Sequence, residues 1–396
     1  MSAAPFFSAR KIRQLAGVLG LLMGLTALLP SQAEPTYRKP SAHPKSHAAK
    51  SGSKHKPAKN AQNRRPGKAQ AAPAASDSYA NRSDARQWAE DAASRLSLPT
   101  DWMQAQIAKA RRIPLIEQLV LPAPSPAAKN WATYRSRFIE PRRVEAGAAF
   151  WQRYRTTLER AEQTFGVPAA VIVGILGVET LYGQHMGNFR VVDALATLAF
   201  DFPSAHPRAA ERQAFFRGEL ERFLRLNQRA GTDPLSIRGS YAGAMGMPQF
   251  MPSSWNHYAV DFDGDGRIDL FNSTADAIGS VANYFKAFGW KSGLPTHYPV
   301  TLTPGQTEMD ALLAPDILPT FSVSSFTAKG AQLEGAALQH EGPLALIELR
   351  NGEAAPSYVA GTENFYVVTR YNWSSYYAMA VIELGQAVAE RVNSTR

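Results

Sequence analysis

The chain has 396 residues, 45% of them hydrophobic, enough for two or three domains that each bury a core. It contains no cysteine, which excludes disulfides, thiol catalysis and cysteine-ligated metals. The formal net charge is +10, yet ten lysines and arginines between Arg38 and Lys68, with no acid among them, equal that whole charge; the rest of the chain is not basic, and no nucleic-acid partner is expected.

The N-terminus reads as an export signal. Arg10, Lys11 and Arg13 form a basic start, residues 15–29 form an apolar stretch too short for a comfortable membrane span, and Ser31-Gln32-Ala33 offers small residues for cleavage. A cleavable signal over residues 1–33 is expected, with a retained anchor as the alternative. A bacterial lipoprotein needs a cysteine just after the apolar stretch, so lipid anchoring by that route is excluded. Residues 34–82 are basic and rich in Pro, Ala, Ser and His. They cannot bury a core and read as a disordered linker, either a solvated spacer or a tether to an anionic envelope polymer or membrane surface.

Helical spacing follows over 84–96 and 101–112, and a break lies at Pro122, Pro124 and Pro126. Phe150, Tyr154, Leu158, Ala161 and Phe165 mark one amphipathic helix. It leads into Pro168-Ala-Ala-Val-Ile-Val-Gly-Ile-Leu-Gly-Val178, a run that reads as a buried helix with the proline in its first turn. Further helices are predicted around Phe215–Leu224, over 277–288, and over 375–392 with Ser374 as N-cap. Between 296 and 370 Pro and Gly become frequent. Phe321-Ser-Val323, Leu344-Ala-Leu-Ile-Glu-Leu349, Tyr358-Val359 and Phe365-Tyr-Val-Val-Thr369 read there as strands of a small inserted β unit.

Four segments carry chemistry. Glu179 closes the apolar run, and a carboxyl there loses its water, rises in pKa and can hold a proton for a leaving group. The bland alternatives are a Glu paired with an Arg, or an exposed last turn. The second segment, from Gly239 to Trp255, is glycine-rich, with Ser240 and Gln249 as polar groups and Tyr241, Phe250 and Trp255 as flat faces. That mix suits a carbohydrate, though an ordinary glycine-rich loop has the same look. The third, Asp261-Phe-Asp263-Gly-Asp265-Gly266-Arg267-Ile268-Asp269, matches the start of a calcium loop. The fit fails at position 12, which is Asn272, and the next acid, Asp276, is either a ligand at position 16 or the cap of the following helix. The fourth places Tyr371, Asn372 and Tyr377 between a predicted strand and the last helix. His185 is close to Glu179 in sequence, but a lone histidine is usually structural.

From Trp131 to Val392 the chain resembles the lytic murein transglycosylases of the membrane-bound B type, which are lysozyme-like enzymes acting on bacterial peptidoglycan. The resemblance is carried by Gly177-Val-Glu-Thr-Leu-Tyr-Gly183, Val192-Asp-Ala-Leu-Ala-Thr-Leu198, the 239–255 segment, Ala277-Ile-Gly-Ser-Val-Ala-Asn-Tyr-Phe285 and Thr369-Arg-Tyr-Asn372. It implies an α+β, mainly α fold with four parts beyond the linker. These are a helical domain at 83–165, shared with 200–235 and the C-terminal helix; a lysozyme-like core with an EF-hand-like calcium loop at 166–295; a small β domain at 296–368; and a return to the core at 369–396.

The resemblance also implies roles. Glu179 matches the catalytic acid and base. Ser240 and Asn372 match polar residues at the cleavage point, and Gln249 a substrate-binding glutamine. Tyr134, Tyr284, Tyr371 and Tyr377 match aromatic residues of the saccharide groove. Arg212 matches an arginine that meets the peptide stem, next to an apparent insertion at 204–211. Asp261, Asp263, Asp265, the Arg267 carbonyl and Asp276 match a structural Ca2+ site, and no organic cofactor is implied. The implied reaction cuts the MurNAc-β-1,4-GlcNAc bond with one carboxylate and closes a 1,6-anhydro ring. A hydrolytic muramidase using a second acid such as Asp193, or a non-catalytic wall-binding protein, are the competing readings. A soluble periplasmic monomer is expected, with peptidoglycan and wall-synthesis proteins as partners.

Overall fold

Helices dominate because most apolar residues recur at three- and four-residue steps, and the first of them open the described part of the chain. The computed structural model describes residues 77–122 and 129–394. The expected export signal at 1–33 and most of the expected linker at 34–82 lie outside these residues. The helices up to the Glu179 run are α1 (Ser83–Leu96), α2 (Thr100–Lys109), α3 (Pro114–Leu119), α4 (Trp131–Ser136), α5 (Pro141–Arg153), α6 (Arg155–Phe165) and α7 (Ala169–Thr180). After the short strand β1 (Phe189–Arg190) come α8 (Val191–Phe200) and α9 (Ala209–Ala230). Strand β2 (Arg238–Gly239), α10 (Pro252–Tyr258) and α11 (Thr274–Ala287) follow.

The inserted unit holds β3 (His297–Pro299), β4 (Thr301–Leu302), α12 (Met309–Leu313), α13 (Val323–Ala328), β5 (Ala331–Gln332), β6 (Ala345–Asn351) and β7 (Ala354–Gly361). The chain returns through α14 (Glu363–Thr369) and ends in α15 (Ser375–Asn393). Among the described residues, no single helix is long and apolar enough to cross a membrane.

The 150–165 pattern is not one helix. Tyr154, at φ −111° and ψ 23°, closes α5 and opens α6. The apolar spacing runs through this break, so periodicity alone does not see it. Pro168 stands one position ahead of α7, as its N-cap, and the Ala169 N–H is taken by the Glu162 carboxylate at 3.0 Å. The segment 365–369 is helical rather than extended. Thr362 accepts from the Asn364 N–H at 3.1 Å, a cap that starts α14, and Phe365, Val367 and Val368 are buried around it. A short β-branched run that is buried on all sides carries no period to separate helix from strand. Phe321 makes only an isolated bridge to Leu344 before α13 begins under the Ser322 cap.

The three-stranded antiparallel sheet has the order β3-β7-β6. Alternation along β6 gives it two buried faces. Ala345, Ile347 and Leu349 join the main core, whereas Leu344 and Leu346 join a second apolar cluster with Phe326, Leu333 and Ala360. The sheet is thereby held between the helical core and its own small cluster.

The most extensive helix pairing is α7 against α15. α7 is apolar all round because it is buried all round. The approach is closest where side chains are missing. A Cβ on Gly174 would stand 2.2 Å from the Val381 carbonyl oxygen, and one on Gly385 would stand 2.1 Å from that of Ala170. The two contacts set an antiparallel register, so the end of α7 meets the start of α15. Gly174→Ala should therefore push the helices apart and cost about 3 kcal/mol, read from the urea midpoint. An unchanged midpoint would contradict the close crossing.

Candidate functional site

Glu179 lies in the last turn of α7, where Leu181 and Tyr182 turn left-handed at φ 49° and 58° and stop the helix. As a residue it is half-buried. The atoms around its carboxyl are nonetheless dense, and burial pushes the pKa from the usual 4.5 up to about 8. The opposing influence is one hydrogen bond: Tyr377 Oη donates to Glu179 Oε1 at 2.5 Å. With Oε1 engaged as the acceptor, Oε2 is the oxygen left to carry the proton of the neutral acid. No arginine or lysine neutralises the carboxyl among the described residues, so the ion-paired alternative does not hold.

Three of the four expected tyrosines gather around it. Tyr377, at the third position of α15, stacks on Tyr371 with ring centres 6.4 Å apart. The hydroxyls of Tyr377, Tyr371 and Tyr134 are all pushed upward, first by burial and then by the charge of Glu179. Tyr134 is half-buried and offers an open edge. Tyr284 differs from the expectation of a groove face. It is 2% exposed, its ring meets that of Tyr371 at a 57° tilt with centres 4.8 Å apart, and its hydroxyl is spent on the Arg370 carbonyl at 2.7 Å. Its place is a backing for the wall.

The glycine-rich segment is docked onto the end of α7 by hydroxyls. Thr180 Oγ1 donates to the Met247 carbonyl at 2.8 Å, and Tyr371 Oη to the Pro248 carbonyl at 2.5 Å. Gln249 holds a left-handed φ of 51° and donates its amide to the carbonyls of Gly246 at 2.9 Å and Met186 at 3.2 Å. Ser240 Oγ accepts from the Ala244 and Ala242 N–H groups at 3.0 and 3.3 Å and stays half-buried. Asn372 is 1% exposed, and its Oδ1 is buried without a hydrogen-bond partner. Nothing in the sequence singles out Thr180 for this docking role beyond its adjacency to Glu179.

Arg212 is 3% exposed on α9, with its guanidinium 5.9 Å from the Phe216 ring centre. Burial, then Arg208, pushes its pKa down to about 10, and Tyr241 lies within electrostatic reach. Asp193, the candidate second acid, and Asp201 further along the chain are both engaged elsewhere. Asp193 takes Arg190 Nε and Nη2, each at 2.7 Å, and the Arg111 N–H at 3.0 Å. Asp201 takes Tyr79 Oη and Arg82 at 2.6 Å. Both carboxylates pin the N-terminal helical region to α8.

In the 261–276 segment, carboxylate oxygens of Asp261, Asp263 and Asp276 lie within 4.8 Å of one another. Asp276 is not the helix cap. Ser273 fills that role, accepting from the Asp276 N–H at 3.1 Å. The Asp276 carboxylate reaches back to the Phe262 and Asp269 N–H groups at 2.7 and 2.8 Å. Burial raises its pKa, and Asp263 adds repulsion. The Asp265 carboxylate accepts from the Arg267 N–H at 2.8 Å. Three hard oxygen donors converging at this distance suit a calcium ion. The loop also touches the cleft wall, because the Met247 N–H donates to the Leu270 carbonyl at 2.8 Å.

Residues 80–386 match the transglycosylase SLT domain. The chain is 40% identical over 319 residues to the membrane-bound lytic murein transglycosylase B of Escherichia coli (strain K12), covering 78% of this chain and 84% of that one. The Escherichia coli lytic transglycosylase Slt35, solved in complex with calcium, superposes with a TM-score of 0.68 at 40% identity, over 80% of this chain and 95% of that one. SltB3 from Pseudomonas aeruginosa, solved with NAG-anhNAM-pentapeptide, superposes with a TM-score of 0.63 at 29% identity, over 77% and 79%. The mainly helical, lysozyme-like architecture is common to these structures and this one. On the strength of these matches across most of its length, the chain belongs to the transglycosylase SLT-domain family.

Proposed function

We propose that the protein is a peptidoglycan lytic transglycosylase in which Glu179 is the single acid and base. The observation that carries this reading is a carboxyl with a pKa near 8, one hydroxyl partner and no second carboxylate acting on it among the described residues. Most glycosidases need two carboxylates. One is enough when the substrate supplies the nucleophile.

The proton on Oε2 passes to the glycosidic oxygen between MurNAc and GlcNAc, and the C1–O bond breaks. The MurNAc acetamido group stabilises the positive C1. The Glu179 carboxylate, held by the Tyr377 hydroxyl, then takes the proton of the C6 hydroxyl, and O6 closes on C1. A 1,6-anhydro-MurNAc end forms and no water is consumed. Asn372, with its unpartnered buried Oδ1, receives a substrate N–H or O–H. A positioned acid of this kind contributes roughly 10²–10⁴-fold.

Asp261, Asp263 and Asp276, with Asp265 and the Arg267 carbonyl completing the shell, would hold a structural Ca2+ ion. The basic start and short apolar stretch of residues 10–29 favour export, and a periplasmic location is part of this proposal.

The decisive measurement is mass spectrometry of products from purified sacculi. Anhydro ends are expected from the wild type and none from Glu179→Gln; reducing ends would establish hydrolysis instead. The raised pKa makes kcat/KM fall as pH climbs through about 8. It also sets a stability trend. The folded state binds a proton that the unfolded state has released between about pH 4.5 and 8, so Glu179 costs stability progressively as pH rises across that window. Glu179→Gln should therefore melt higher than wild type, with a gap that widens from pH 5 to pH 8; a constant gap would deny the buried acid. Calcium at about a hundred times a Kd on the order of 10⁻⁴ M should stabilise by about 3 kcal/mol, so a chelator should lower the melting temperature. Identical melting with and without chelator would remove the ion from the account.

A further inference from the structure

Helix α6 packs against α11, and one side chain of the acidic loop touches both. Phe262 stands between Asp261 and Asp263 in sequence and is half-buried. Its ring sits over Gly279 of α11, where a Cβ would come within 2.4 Å, and its centre is 5.8 Å from that of Phe165 on α6. The Phe262 N–H donates to Asp276 Oδ1 at 2.7 Å. Arg160 of α6 completes the clasp. Its guanidinium carbon lies 4.0 Å from the Phe262 ring centre, and Nη2 donates to the Phe262 carbonyl.

Arg160 holds the loop by its ring and backbone, yet its charge reaches the acids. The Asp263 carboxyl is kept below its usual range, first by the Ser273 hydroxyl at 2.5 Å, with Arg160 among the lesser causes. Carboxylate oxygens of Asp261, Asp263 and Asp276 within 4.8 Å of one another repel when no cation lies between them. Backbone N–H groups offset part of this: those of Gly264 and Gly266 donate to Asp261 at 2.7 and 2.8 Å. Arg160 adds a full positive charge, fixed in place by packing. A divalent ion in the cluster supplies the same compensation more completely, and the Arg160 charge repels it. Arg160 also orders the loop, which would favour the ion. Asp276 and Gly279 pin Phe262 without it, however, so charge is the larger of the two effects.

We infer that Arg160 is a built-in counter-cation of the acidic loop, which supplies part of the compensating charge when calcium is absent and weakens the binding of calcium when it is present. Leu270 at the end of this loop accepts from the Met247 N–H of the cleft wall, so the wall keeps its support when calcium is scarce. This rests on the calcium reading above.

The test is a calcium titration of the full chain by calorimetry, with melting curves in calcium and in chelator. Arg160→Gln should bind calcium about fivefold tighter than the wild type, the scale of one exposed charge. Its melting temperature should also fall further in chelator. Arg160→Met, which keeps an apolar stem against Phe262, should behave like Arg160→Gln and serves if that variant folds poorly. Arg160→Lys keeps the charge without the planar fork and should bind calcium within about twofold of the wild type. A variant that folds only with calcium, where the wild type folds without it, would support the role in a stronger form. Neutral variants that bind calcium no tighter than the wild type, or a Lys variant that tightens as much as they do, would overturn Arg160 alone. A wild type that takes up no calcium would remove the ion and this role together.

Discussion

The crossing of α7 over α15 is the constraint on which the site depends. Gly174 and Gly385 let each helix lie against the other's backbone carbonyls. With any larger side chain the helices would separate, and the antiparallel register that brings Glu179 to Tyr377 would be lost. The same crossing places a carboxyl at the C-terminal end of one helix and near the N-terminal end of the other. The end of α7 disfavours negative charge and the start of α15 favours it. A group so placed is held neutral at rest and is still supported when it gives up its proton. Arg143 adds to this balance by donating to the Gly177 carbonyl at 2.5 Å, an acceptor of the last turn that the Leu181 N–H also reaches at 3.2 Å.

Around that crossing the wall of the cleft is assembled from segments with little regular structure. Hydroxyls from Thr180 and Tyr371 hold two consecutive carbonyls of the glycine-rich segment, at Met247 and Pro248. Gly246 sits against the Leu270 carbonyl, where a Cβ would come within 2.6 Å. The acidic loop and the cleft wall therefore share backbone contacts. An ion that orders the loop would steady the wall without touching the reaction, so stability, more than chemistry, should answer to its removal.

The small β unit meets the same logic from the other side. Its sheet offers one face to the helical core and keeps the other for its own cluster. Through Asn364, which binds the Lys291 and Leu294 carbonyls at 2.7 Å, the start of α14 is fastened to the segment after α11. α14 then delivers Tyr371 and Asn372 to the cleft. The inserted unit thus frames the chain's return to the site.

Much of this was legible in the residues themselves. A carboxylate at the end of an apolar run announces its own desolvation, and an Asp-x-Asp-x-Asp-Gly spacing announces clustered oxygen ligands, because both signals are local. The long amphipathic helices were legible for the same reason, since their period is written along one segment. What tertiary structure alone decided is of another kind. It broke the 150–165 helix at Tyr154, turned 365–369 from strand to helix, gave the cap of α11 to Ser273 so that Asp276 could face the acidic cluster, and moved Tyr284 from the groove to the layer behind it. It also spent Asp193 and Asp201 on arginines far along the chain. Each of these outcomes depends on a partner distant in sequence, and a side chain's burial and hydrogen-bonding state exist only once that partner is in place.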